Sequence, residues 1–228
     1  MHRENVDQIS LQHRFGRKVF TTLLRELNDI LIIVLAQSEG IPATLKLSER
    51  DSINIAYQCF FYGTSGEASQ KLINNALSKY PEWKERILNA CRQTQRGMNQ
   101  KYSYKVLEGH QSRLSHYYRH LFQTVKYVNE KKGLDYRRKY EYVKILRAQL
   151  STHEQALLFF NSLSEMGSPW EQKLGLTDNQ RLITKYNLVK NIPAGFVTSV
   201  NIKTLYPDVH YEGDEKSVRR KELEISYL

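Results

Sequence analysis

The chain has 228 residues, 40% of them hydrophobic and only five prolines, which is enough for one substantial core and excludes a disordered or low-complexity polypeptide. Lys and Arg number 34 against 24 Asp and Glu, a net charge of +10. That surplus favours a polyanionic partner such as RNA, a nucleotide or an anionic membrane face, although solvated surface lysines explain it equally well.

Cys59 and Cys91 lack metal-ligand spacing and read as reduced, buried thiols of a cytosolic protein. No signal-peptide pattern is visible. The most apolar run, residues 30–36, falls far short of a membrane span of about 20 residues. Most of the fifteen tyrosines stand at helical spacing among aliphatic residues, so packing is favoured over base stacking. There is no internal repeat and no glycine-rich phosphate loop, so no cofactor is expected.

A first helix is predicted over residues 11–37, with Phe15, Val19, Leu23, Leu27, Ile30 and Val34 inward, ended by Gly40 and Pro42. Ser48-Glu49-Arg50-Asp51 reads as a capping box that opens a helix to Tyr62. After the loop at 63–66, two shorter helices part near Tyr80-Pro81, because a residue before proline disfavours helix. A polar connection is predicted from Arg96-Gly97. Two long helices follow over 108–131 and 136–164, and their short link makes them antiparallel neighbours. Gly167-Ser168-Pro169 ends the second, and Thr177-Asp178-Asn179-Gln180 reads as another capping box. Residues after Pro193 look irregular, with room for short strands, and the charge-dense stretch from Gly213 reads as a loosely held tail. The predicted fold is all-α: a single multi-helix bundle over 1–195 with a central antiparallel pair, and an irregular extension over 196–228.

The two long helices carry the informative residues. At about 100° per residue, Leu114, Tyr118, Leu121, Val125 and Val128 form one apolar stripe on the first. Arg113, His116, Tyr117, His120 and Thr124 form a second stripe, with Arg119 beside it. On the second helix Arg147, Ser151, Glu154 and Asn161 fall on one line, and apolar residues including Ile145, Ala148, Ala156 and Phe159 cover most of the remaining circumference. A helix apolar nearly all round is buried, so that polar line needs partners inside the fold.

These blocks resemble the signature of the bacterial putative phage abortive infection protein family of the AbiC type. The carrying segments are His116-Tyr117-Tyr118-Arg119-His120-Leu121-Phe122 and Arg147-Ala148-Gln149-Leu150-Ser151-Thr152-His153-Glu154 with Phe160-Asn161. The opening residues 2–6 and 16–20 look like the start of the same domain, and residues 182–186 with Asn191-Ile192-Pro193 look like its end. The resemblance implies a role in anti-phage defence. It also implies a cytoplasmic location, or the cytoplasmic face of the inner membrane where an anchoring segment missing from this chain precedes the domain.

Several chemistries fit the polar residues. Helical HEPN-type ribonucleases, which dimerise around a composite site, use an Arg and a His with four to six residues between them, and Arg113 and His120, with six residues between them, are similar to that pattern. An imidazole would move the ribose 2′-OH proton while a guanidinium held the phosphate. The expected catalytic group is Arg113, His116, Arg119 and His120, without metal, and a homodimer is expected on the same resemblance. A phosphate-binding line of Arg147, Ser151, Glu154 and Asn161 is expected beside it, with Arg119 and Arg147 clamping phosphate and Glu154 orienting one of them. The alternative to each is a structural polar network, and a non-catalytic sensor or membrane-associated interaction module remains the competing function. His116 and His120 at i, i+4 with Glu154 would suit a metal, but without further ligands the pattern is poor. Arg113, Lys126, Lys131, Lys132, Arg137, Arg138 and Lys139 are candidates for a polyanion-binding face.

Overall fold

The computed structural model describes residues 18–42, 45–171, 173–174, 178–179 and 181–212. Residues 2–6, the stretch 11–17 of the predicted first helix, and the tail from 213 therefore lie outside the described residues. Helix α1 (Lys18–Ala36) buries Leu23, Leu24, Leu27, Ile30, Leu31 and Val34, the 3–4 spacing of one helical face. Helix α2 (Glu49–Tyr62) starts where Ser48 Oγ accepts the Asp51 amide at 3.0 Å, and it is buried from Ser52 to Phe61. Helix α3 (Glu67–Ala76) leads through a 3-10 turn into α4 (Pro81–Lys101), with Pro81 in the first turn where its missing N–H does no harm. The polar connection predicted from Arg96-Gly97 is instead helix: Ile87, Leu88, Cys91 and Met98 continue the apolar face past both residues, to Lys101.

Helix α5 (Gln111–Glu130) buries Leu114, Tyr118, Leu121 and Val125 as the stripe predicts. The second long helix is not continuous. It breaks at Leu150-Ser151 into α6 (Tyr136–Gln149) and α7 (Thr152–Leu163), because Ser151 and Glu154 form a capping box that starts a new helix. The break divides two unlike halves. On α6, Ile145 is 61% exposed and Ala148 is exposed, so the all-round burial predicted for this stretch fails there. On α7, every residue from Gln155 to Leu163 is buried. Helices α1 and α2 pack together with α7 against both, while α5 meets α2 and α6.

After α7 a 3-10 turn (Glu165–Trp170) folds back on the helix end. Its Gly167 lies so near Asn161 that an added Cβ would stand 2.0 Å from that residue's carbonyl oxygen. Two-residue strands β1 (Lys173–Leu174) and β2 (Asp178–Asn179) pair antiparallel, so the centre of the capping box predicted over 177–180 is strand, while Thr177 and Gln180 lie outside the described residues. Short helices α8 (Leu182–Lys185) and α9 (Ile202–Leu205) complete an all-α fold. Val197, Val200, Ile202, Leu205, Tyr206, Val209 and Tyr211 join the common core. Among the described residues no helix is long and apolar enough to cross a membrane. Cys59 and Cys91 are free thiols, both buried.

Candidate functional site

The N-terminal end of α5 is set by a crossing of two loops. Gly63 (φ 82°) and Gly109 (φ 90°) face each other so closely that a Cβ on either would stand 2.5 Å from backbone of the other loop. Only glycine adopts these positive φ values at no steric cost while allowing that approach. The Thr64 amide donates to Leu107 O at 2.8 Å and the His110 amide to Phe61 O at 2.9 Å, which ties the loops together.

His110 is thereby fixed against the Phe60 ring, with centroids 4.6 Å apart, and it reaches Glu26 on α1. Its Nε2 lies 2.8 Å from Glu26 Oε2, and the two side chains are 3% and 0% exposed. Glu26 also accepts the Tyr104 hydroxyl at 2.5 Å and the Leu107 amide at 2.8 Å. Three donors satisfy a carboxylate that would otherwise be costly to bury. Burial and then the Glu26 charge push the Tyr104 phenol well above the usual range. The other ring nitrogen, Nδ1, lies 3.4 Å from Arg113 Nη1. A guanidinium only donates, so Nδ1 accepts and the ring proton sits on Nε2, facing the carboxylate.

Arg113, His116, Arg119 and His120 are all exposed on α5. Arg113, His116 and His120 share one face, with the Arg113 guanidinium held 3.4 Å from His110 Nδ1. Arg119 points elsewhere, to the rim of a cleft lined by Ser115, Tyr118, Phe122, Asn161 and Trp170.

The second expected group is dispersed. Arg147 is 4% exposed, and its Nη1 donates to the carbonyls of Tyr186 at 3.0 Å and Asn187 at 3.3 Å and to the Tyr140 hydroxyl at 3.4 Å. It holds the turn after α8 and does not meet Arg119, so the two arginines form no clamp. Ser151 Oγ donates to Glu154 Oε2 at 2.6 Å, the Ser151 amide donates to the same oxygen at 2.8 Å, and the Glu154 amide returns a bond to Ser151 Oγ at 3.3 Å. The partner of Glu154 on α5 is Tyr117, whose hydroxyl donates to Oε1 at 2.9 Å. Asn161, 4% exposed, donates through Nδ2 to the Tyr57 hydroxyl at 2.9 Å and accepts Trp170 Nε1–H at 3.2 Å. The four residues thus serve three separate networks, and the single line predicted for them ends at the helix break.

Glu26, Tyr104 and His110 are what sequence reading passed over as a unit. Two glycines flanking polar loops were the local signal; the pairing across 84 positions had none. Among the described residues no group of three or more His, Cys, Asp or Glu is placed to hold a metal ion. Glu154 is engaged in its capping box, which removes the third ligand considered for His116 and His120.

An all-α domain organised around α5 and α7 is the class of protein that this geometry defines. Residues 109–197 match the family model described as "Putative phage abortive infection protein", which supports the resemblance read from the two blocks and with it a role in phage defence. The match begins at Gly109, the crossing glycine beside His110, and ends past the turn that Arg147 holds. No curated protein and no solved structure matches the chain.

Proposed function

We propose that the protein is an abortive-infection effector acting on RNA through the exposed Arg113, His116 and His120 face of α5. The observation that carries this reading is the positioned arginine: Arg113 is exposed, yet its Nη1 rests 3.4 Å from a histidine that Glu26 holds in place. A guanidinium anchored at one nitrogen keeps its other donors for a phosphate, with less side-chain freedom to lose on binding. His120 stands seven residues on, about 10 Å along the axis, so extended side chains can meet at one phosphodiester. In the proposed step one imidazole takes the ribose 2′-OH proton as that oxygen attacks phosphorus. The bond to the 5′-oxygen breaks, and a second protonated imidazole gives that oxygen a proton, leaving a 2′,3′-cyclic phosphate and a 5′-hydroxyl. This face is open, and a second copy of the chain laid across it would exclude water from the reaction; a homodimer is therefore part of the proposal.

The test is incubation of the purified chain with total bacterial RNA, with and without divalent metal. Cleavage that persists in chelator and disappears in Arg113→Ala and His120→Ala supports the reading. Unaltered RNA would favour the second reading, a non-catalytic sensor or membrane-associated interaction module. The structural engagement of Arg147, Ser151 and Glu154 speaks for that alternative, since it removes the phosphate-binding line that an effector was expected to have.

A further inference from the structure

At 65% exposure, Tyr127 is the most open large hydrophobic side chain among the described residues. The core takes Leu114, Tyr118, Leu121 and Val125 from α5, and Tyr127 points away from all four. At about 100° per residue its direction lies roughly 150° from the centre of that buried stripe and within about 40° of Arg113, His116 and His120. It stands seven residues beyond His120, about 10 Å further along the axis, with the exposed Gln123 between them on the same side. The ring has a cation beside it: Lys131 Nζ lies 5.3 Å from the ring centroid and 3.3 Å from the hydroxyl. Lys131 and Lys132, both exposed, follow directly at the helix end. The line from Arg113 through His116, His120 and Gln123 to Tyr127 holds no carboxylate and no aliphatic side chain. Glu130, to one side of it, is engaged by Lys126 at 3.7 Å.

We propose that this line is a track for single-stranded RNA, in which an unpaired base stacks on Tyr127, the adjoining phosphates meet Lys131 and Lys132, and the strand continues to Arg113, His116 and His120. The inference rests on the RNA reading of that face and deepens it, because it names the strandedness of the substrate. A tyrosine ring can stack on any base, but only on one that is not enclosed in a duplex. A cation beside such a ring lies where the phosphate next to the stacked base brings negative charge. Tyr127 and the turn lie past the catalytic side chains, where a strand leaving them would pass. A lipid surface is the poorer occupant, since a helix that binds a bilayer sinks apolar side chains into it and this line has no aliphatic residue to insert.

The test is fluorescence anisotropy of the full chain with a labelled 2′-O-methyl RNA of about ten nucleotides, which binds without being cleaved, alone and annealed to its complement. Anionic vesicles of phosphatidylglycerol serve as a third probe. The single strand is expected to bind more tightly than the duplex by about fivefold or more, the worth of one base stacked on an aromatic ring. Tyr127→Ala should weaken the single strand by a similar factor and leave both duplex affinity and the melting temperature unchanged. Tyr127→Phe, which keeps the ring, should retain the affinity of the native chain. Four results overturn the proposal: no binding of the single strand at low salt, equal affinity for strand and duplex, single-strand affinity unchanged in Tyr127→Ala, or binding to the vesicles in place of RNA. Strand binding with this dependence on Tyr127, but no cleavage of ordinary RNA, would support the track and refute only the catalytic step. Cleavage that is indifferent to Tyr127 would refute the track alone.

Discussion

Glu26 and His110 lie 84 positions apart in sequence and 2.8 Å apart in the core, and between them they fix where Arg113 stands. The carboxylate has no exposure and three donors, so its removal strands a buried imidazole N–H, a phenol and an amide together. Leaving a buried donor without its acceptor costs about 1–3 kcal/mol apiece. Glu26→Ala strands three such donors and is expected to lose about 3 kcal/mol or more in urea denaturation, whereas Arg113→Ala strands only His110 Nδ1 and is expected to lose no more than about 1–3 kcal/mol. Equal melts for Glu26→Ala and the native chain would mean that the pair is not held as described.

Glu154 calls for a smaller figure. Had it been a buried ion-pair partner of Arg119, its loss would cost about 3–5 kcal/mol. It is instead half-buried, a member of a capping box and the acceptor of Tyr117. Glu154→Ala and Ser151→Ala are therefore each expected to cost about 0.5–2 kcal/mol, the range for lost helix caps. A loss well above that range in Glu154→Ala alone would reveal a charge partner.

The apolar stripe of α5 was legible because Leu114, Tyr118, Leu121 and Val125 repeat at helical spacing whatever surrounds them. The break before α7 was also written locally, as Ser151-Thr152-His153-Glu154, but apolar periodicity that runs through the break masks it. Partners remote in sequence were not legible. Arg147 finds its carbonyls 39 and 40 positions downstream, and no pattern around Arg147 points to them. His116 and His120 are exposed on α5, whereas burial of His110 depends on a glycine crossing between chain segments far apart.

The buried phenols make stability depend on alkali. Burial pushes Tyr57, Tyr117, Tyr118 and Tyr206 upward, in Tyr117 with the help of the Glu154 carboxylate. The folded chain therefore keeps protons that the unfolded chain releases above the ordinary phenol value of about 10. Their contribution is complete below that pH and is lost as pH climbs beyond it. Melting temperature should fall through that window, and absorbance near the phenolate band should rise together with unfolding. Tyr117→Phe, which removes the phenol and its bond to Glu154, should make the fall shallower; phenols that all titrate before the chain unfolds would contradict their burial.

The basic turn between α5 and α6 bears on the RNA reading most directly. Lys131, Lys132, Arg137 and Arg138 are exposed around it. Lys131 Nζ reaches Tyr127 Oη at 3.3 Å, and Arg137 lies 3.7 Å from Glu141. Exposed pairs of this kind are worth about 0–1 kcal/mol, so phosphate can compete for the cations. Lys139 differs, since its Nζ donates to Asn129 O at 2.8 Å, and it is better regarded as a brace between the helices. If RNA binds here, affinity should drop steeply between about 50 and 200 mM salt as counterions are released. Neutralising the four exposed cations together should flatten the slope of log affinity against log salt by up to about 3 for single-stranded RNA. Filter binding or fluorescence anisotropy with labelled RNA measures this. Binding absent at low salt, or a slope untouched by the fourfold change, would remove the turn from the interface and favour the non-catalytic module.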